Sequence, residues 1–133
     1  MVAPVSIKQD CDAVWLPYPN PAGAMERLYR HHVPSKLPEY LALGMPVIVT
    51  GPEYATGIRW ARAHAHAVAT ETGGDIDRMV ALFQRLRNDA AWRRQIAEEG
   101  WVAGQRDFDP VLIRQRFIAH LTAACAQTDS NAH

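Results

Sequence analysis

PSKLPEYLALGMPVIVT, residues 34–50, runs from a proline-rich helix start into a short strand, and its reading decides the fold. Ser35 to Leu43 reads as a helix with Leu37, Tyr40 and Leu41 on one face, and Gly44 stands just past its end, where a left-handed residue is favoured. PVIVT at 46–50 is apolar without alternation, the pattern of a strand covered on both faces. Such strands belong to parallel sheets held between helix layers.

The flanking sequence fits that frame. VWLPY at 14–18 is a short apolar run ended by the proline-rich PYPNPAG, a strand leading into a loop, and Ala24 to Arg30 adds a short helical turn. After Gly51 and Pro52, the residues Tyr54, Ile58 and Ala61 form a helical stripe leading to HAHAVAT at 64–70, whose alternation reads as a third strand. Asp75 is placed to cap a helix bearing Ile76, Met79, Val80 and Phe83 on its inner face. Asp89 caps the next, from about Ala90 to about Gly104. Asp109 and Pro110 start a last one whose Ile113, Phe117 and Leu121 face inward. The class is α/β. With right-handed crossovers, about three parallel strands flanked by helices, with a helical C-terminus, make half of a doubly wound sheet.

Composition narrows the class of function. At 133 residues the chain is one domain at most, and 48% hydrophobic with 21% charged residues suits a soluble globular protein. Fourteen basic against 14 acidic residues leave no broad field to draw nucleic acid or an anionic membrane. Cys11 and Cys125 lack metal-ligand spacing and read as unpaired thiols of a reducing compartment, so the expected location is cytoplasmic. MVAPVSIKQDC lacks the pattern of a secretory leader, and no run reaches transmembrane length. The small polar residues 127–133 are expected to form a disordered tail after a domain spanning 1–126.

The chemistry centres on the helix start. Ser35 has an N-cap side chain, and the free amides of the first turn, aided by the helix dipole, form a seat for phosphate. Pro38 has no N–H, so the donors are Ser35, Lys36 and Leu37, with Lys36 adding positive charge. Glu39 falls one turn after Ser35, where its carboxylate can accept hydrogen bonds from sugar hydroxyls. That division of labour suits a nucleoside diphosphate. A plainer alternative stands beside it, in which Ser35 only caps and Glu39 only complements the positive helix end.

Other residues read less sharply. Arg27 and Arg30 precede the helix and can reach a diphosphate or form a solvated face. His31, His32, His64 and His66 bring no carboxylate or cysteine at a recognisable ligand spacing, so no metal is assigned. Arg93, Arg94, Glu98 and Glu99 read as an exposed charged face, and Trp92 and Trp101 as core or partner-contact residues. No catalytic nucleophile or acid–base pair emerges.

Residues from about Asp12 to about Leu121 resemble the second half of the C-terminal, donor-binding domain of GT-B glycosyltransferases, in particular the retaining group that uses nucleotide-diphosphate sugars. The carriers are DAVWLPY, PSKLPEYLALGMPVIVT, GGDIDRMVALFQRLRND and WRRQIAEEGWVAGQRDFDP, of which PSKLPEYLALGMPVI is the specific one. The resemblance implies a Rossmann-like half-sheet and a role as the donor-binding part of a hexosyltransferase-type enzyme. Phosphate falls to Ser35, Lys36 and Leu37, and ribose to Glu39. Family members carry a second glutamate eight positions earlier for the transferred sugar. His31 stands there, so it is the candidate sugar contact. The same comparison implies a missing N-terminal acceptor domain as partner, no resident cofactor beyond the donor substrate, and an isolated fragment without activity. It also implies an uncovered strand edge at Val14–Tyr18 through which a homodimer can pair. Residues alone leave a non-catalytic binding or assembly module as the alternative.

Overall fold

The computed structural model describes residues 11–19 and 24–130. The amino-terminal reading on 1–10, part of the proline-rich loop at 20–23, and the end of the expected tail at 131–133 lie outside them.

Strands β1 (Val14–Pro17), β2 (Val47–Thr50) and β3 (Ala69–Glu71) form one parallel sheet in the order β1-β2-β3. Val14 pairs with Val47, and Ile48 pairs with Trp15 on one side and Ala69 on the other. The expectation from PVIVT holds: β2 is central and buried throughout. Pro17 donates nothing to the ladder, which an edge strand tolerates.

Six helices fill the rest of the described chain: α1 (Ala24–His31), α2 (Lys36–Ala42), α3 (Thr56–Ala63), α4 (Ile76–Asn88), α5 (Ala90–Phe108) and α6 (Pro110–Ser130). Alternation along the strands separates two faces. Val14, Val47, Val49 and Val68 join Leu37, Leu41, Ile58 and Ala61 in the larger core cluster, where Tyr29 and Phe108 also pack. Ile48 and Ala69 point the other way and meet Leu86 and Ile96, with Leu82 and Trp92 beside them.

The caps are those the side chains dictate. Asp75 accepts from the amides of Asp77 at 2.9 Å and Arg78 at 3.2 Å, Asp89 from Trp92 at 2.9 Å, and Asp109 from Val111 at 2.7 Å. Gly44 ends α2 with φ +62°.

Helix α5 closes the amino ends of the strands. Gly100 lies so near the carbonyl of Ala67, just before β3, that a Cβ there would sit 2.7 Å from its oxygen. Gly104 would place one 2.8 Å from Cβ of Leu41, near the end of α2 that leads into β2. Glycine permits this close crossing at the amino ends of the strands.

Three expectations are corrected. HAHAVAT is not a strand from residue 64: His64 caps α3, its Nδ1 2.8 Å from the Trp60 carbonyl, and its ring stacks on Trp60, so the alternation belongs to a turn and β3 starts at Ala69. The inner face expected of α4 is mostly outside. Ile76, Val80 and Phe83 are exposed because only Leu86 reaches the buried core. On α6, Ile113, Phe117 and Leu121 are exposed as well, in a helix that runs on through Ser130 across the first residues of the expected tail. No helix among the described residues is long and apolar enough to cross a membrane.

Candidate functional site

In a parallel sheet, ligands bind outside the carboxyl ends of the strands, where the loops into the helices converge. Here that edge is formed by Tyr18 after β1, the start of α2, Gly51 and Pro52 after β2, and Thr72 to Gly74 after β3.

At the start of α2, Ser35 is already helical in backbone, with φ −57° and ψ −26°, and its side chain makes no capping bond. The expected Ser35 cap is therefore absent, since a cap needs an extended backbone to swing its oxygen over the first turn. Leu37 is fully buried and its amide donates to the Pro34 carbonyl at 3.1 Å, so one of the three expected donors is already engaged. The amides of Ser35 and Lys36 have no backbone partner among the described residues. Lys36 Nζ donates to Glu39 Oε2 at 2.7 Å, and both side chains are exposed. This hydrogen bond and the carboxylate's charge raise the ammonium's pKa, so it stays cationic beside the helix start.

His31 ends α1, four residues before Ser35, and is exposed. Arg30 is less available than its position suggests. Its guanidinium pairs with Glu26 at 2.5 Å and lies 4.9 Å over the Tyr54 ring, while its carbonyl accepts from Thr56 Oγ1 at 2.7 Å and Arg59 Nη2 at 2.6 Å. These bonds tie the end of α1 to the start of α3 and so fix the segment leading to Ser35. Arg27 is exposed.

Two features of the same edge escaped the sequence reading. A cavity of about 210 Å³ is lined by Tyr18, Thr50 to Pro52, Glu71 to Gly74 and Met79. Glu71 is buried there, and its carboxylate takes the amides of Gly73 at 2.9 Å and Gly74 at 3.0 Å. A pair of amides at a glycine turn is a natural anion nest, but the protein fills this one with its own carboxylate, so no phosphate is assigned to it. The second feature is Tyr18. Its hydroxyl is buried with no partner in hydrogen-bond geometry, although the Gly57 amide comes near enough to favour ionisation slightly. Burial outweighs that, and the phenol is pushed up to about 12. ETGGD carried a signal for the first feature, since a glutamate before two glycines can close on their amides. Nothing local foretold the second.

Away from this edge, His64, Asp107, Arg106 and Trp60 form a compact cluster. His64 Nε2 lies 3.1 Å from Asp107 Oδ2, which also accepts from Trp60 Nε1 at 2.9 Å, and Arg106 Nε donates to Asp107 Oδ1 at 2.7 Å. The Arg106 bond, helped by Trp60 and His64 against partial burial, holds the Asp107 carboxyl below its ordinary value. His66 sits 6.4 Å from His64 ring to ring, and among the described residues no three metal-ligating side chains converge. The cluster ties the end of α3 to the end of α5.

No known protein family, curated protein or solved structure matches the chain.

Proposed function

We propose that the chain is the donor-binding part of a glycosyltransferase that moves a sugar from a nucleotide diphosphate to an acceptor, with the parallel sheet as half of a Rossmann-like unit. The observation that carries this reading is the place of PSKLPEYLALGMPVIVT: its helix start faces solvent at the open carboxyl edge of three parallel strands, with two amides and a lysine uncommitted to the backbone. In such transfer, negative charge grows on the departing diphosphate. Preorganised donors that meet the charge lower the barrier without moving.

The amides of Ser35 and Lys36, the Ser35 hydroxyl and the Lys36 ammonium would take the diphosphate. Leu37 contributes packing that holds the turn in place. Glu39 would accept from ribose hydroxyls, exchanging its bond from Lys36 for them as the lysine turns to phosphate. His31 can donate to or accept from a hydroxyl of the transferred sugar. The acceptor side would come from a further domain.

Titration with UDP, GDP and ADP followed by amide NMR tests this. Shifts should cluster from Ser35 to Glu39, and Glu39→Ala should weaken nucleoside diphosphates more than inorganic diphosphate. Equal weakening would remove the ribose role, and silence at millimolar nucleotide would remove the reading. A second reading is favoured by the exposed Trp15 on edge strand β1: an assembly module whose sheet edge at Val14–Tyr18 takes up a partner strand, including that of a second copy. It predicts that silence.

A further inference from the structure

Helix α6 is exposed at every residue from Val111 to Ala126. Its sequence is nonetheless that of a packed helix. Val111, Phe117, Ile118 and Leu121 fall within one arc and are 50 to 62% exposed. Arg114 lies in the middle of that arc, three or four residues from Val111, Phe117 and Ile118. Between Pro110 and Ala126 the ionisable side chains are Arg114, Arg116, His120 and Cys125, with no carboxylate. The occupant that complements this face offers apolar surface with a carboxylate near its centre.

The chain itself carries such a surface on α5. Trp101 and Val102 are 48% and 54% exposed, and Glu98 lies between them on the same helical face, at three and four residues' spacing. Neither Glu98 nor Arg114 forms an ion pair among the described residues. The two faces cannot meet within one copy. Asp109 alone joins α5 to α6, whereas antiparallel helix hairpins need two to five connecting residues. In a second copy nothing prevents the contact.

We infer that α6 of one copy packs across Trp101 and Val102 on α5 of another, with Arg114 opposite Glu98, and that the exchange is reciprocal about a two-fold axis. A reciprocal contact closes and buries both copies of each face. The exposed apolar side chains involved supply on the order of 700 Å² per copy, and twice that lies within the range of specific interfaces. A pair of α6 helices facing each other is disfavoured, because it would bring the two Arg114 guanidinium groups together without a carboxylate.

Sedimentation and light scattering of the full chain from 1 to 200 µM test the inference. A dimer is expected. Phe117→Glu, at an exposed site that leaves the fold and its circular dichroism unchanged, should weaken it at least tenfold. Arg114→Glu should do the same, and adding Glu98→Arg should restore most of the loss. A monomer across the whole range overturns the inference. So does a dimer that Phe117→Glu leaves intact, which would assign association to another surface such as the β1 edge, and so does a charge exchange without rescue.

Discussion

Replacing Gly100 by alanine tests whether α5 truly closes the amino edge of the sheet. In an ordinary helix this substitution stabilises, because alanine is favoured over glycine by about 1 kcal/mol. Here the new Cβ would sit 2.7 Å from the Ala67 carbonyl oxygen and 3.4 Å from Leu41 Cδ2. The oxygen belongs to backbone entering β3 and has no rotamer to change, so α5 must lift by several tenths of an ångström. Overpacking of this kind costs about 1–3 kcal/mol, which outweighs the helix gain except at its low end. The expected net loss is about 1 kcal/mol, or roughly 4 °C in Tm for a chain of this size. Urea unfolding followed by circular dichroism, with the m-value unchanged, gives the sign directly. A Gly100→Ala protein more stable than the parent would refute the close crossing, and with it the placement of α5 against the amino ends of the strands. Leu41→Ala cannot rescue the variant, since the obstruction is main chain.

Three further outcomes follow from the same geometry. Tyr18→Phe removes a buried hydroxyl without a partner and should leave stability unchanged or raise it by up to about 1 kcal/mol in thermal unfolding. In the parent, the raised phenol means that the unfolded chain ionises first, so stability declines as pH rises from about 10 towards about 12, and Tyr18→Phe should flatten that decline. Asp107→Asn should cost about 1 kcal/mol at neutral pH by weakening its bonds from Arg106 and Trp60. Because the folded Asp107 carboxyl is depressed, its contribution is present above the usual carboxylate range and is lost as pH falls below about 3.8, so the variant's acid limb should be shallower. Arg93 donates to the carbonyls of Leu86 and Arg87 at the end of α4, and Arg93→Ala should lower stability by about 1–2 kcal/mol, with Arg93→Lys recovering only part, as denaturant midpoints would show.

Where the sequence was legible, one physical signal acted alone. The unbroken PVIVT run requires two covered faces, and β2 has them. Asp75, Asp89 and Asp109 cap because carboxylates beside free amides have nothing better to do. Reading failed where two signals competed. HAHAVAT alternates like a strand, but the Trp60 ring and carbonyl capture His64 and end α3 there. At Ser35 the residue type says cap while the preceding Pro34 and its bond from Leu37 set a helical backbone too early for one. Arg93 looked like solvated charge, and only the tertiary approach of α5 to the end of α4 makes it a cap. The buried Glu71 and orphan Tyr18 depend on loops from different strands, a relation that local pattern does not encode.

The failures of burial are of a different kind. Propensity and pattern agreed with structure in α2 and α3, whose apolar residues Leu37, Leu41, Ile58 and Ala61 all lie in the core. In α4 and α6 the helices form where expected, yet the residues meant for the interior face water: Ile76 is 76% exposed and Phe117 62%. A sequence consistent at every local level carries such stripes only where something covers them, since isolated stripes of this length invite aggregation. On α4 the uncovered stripe continues into the sheet. Phe83 meets Trp15 of edge strand β1 edge to face at 5.9 Å, and both rim a cavity of about 320 Å³ floored by Ile48. Thus two separate apolar surfaces are exposed, one running over β1 and α4 and the other along α5 and α6. Neither includes the start of α2, so variants that abolish association through Phe117 should leave nucleotide shifts at Ser35 to Glu39 in place. Loss of both together would mean that the exposed surfaces and the start of α2 are coupled.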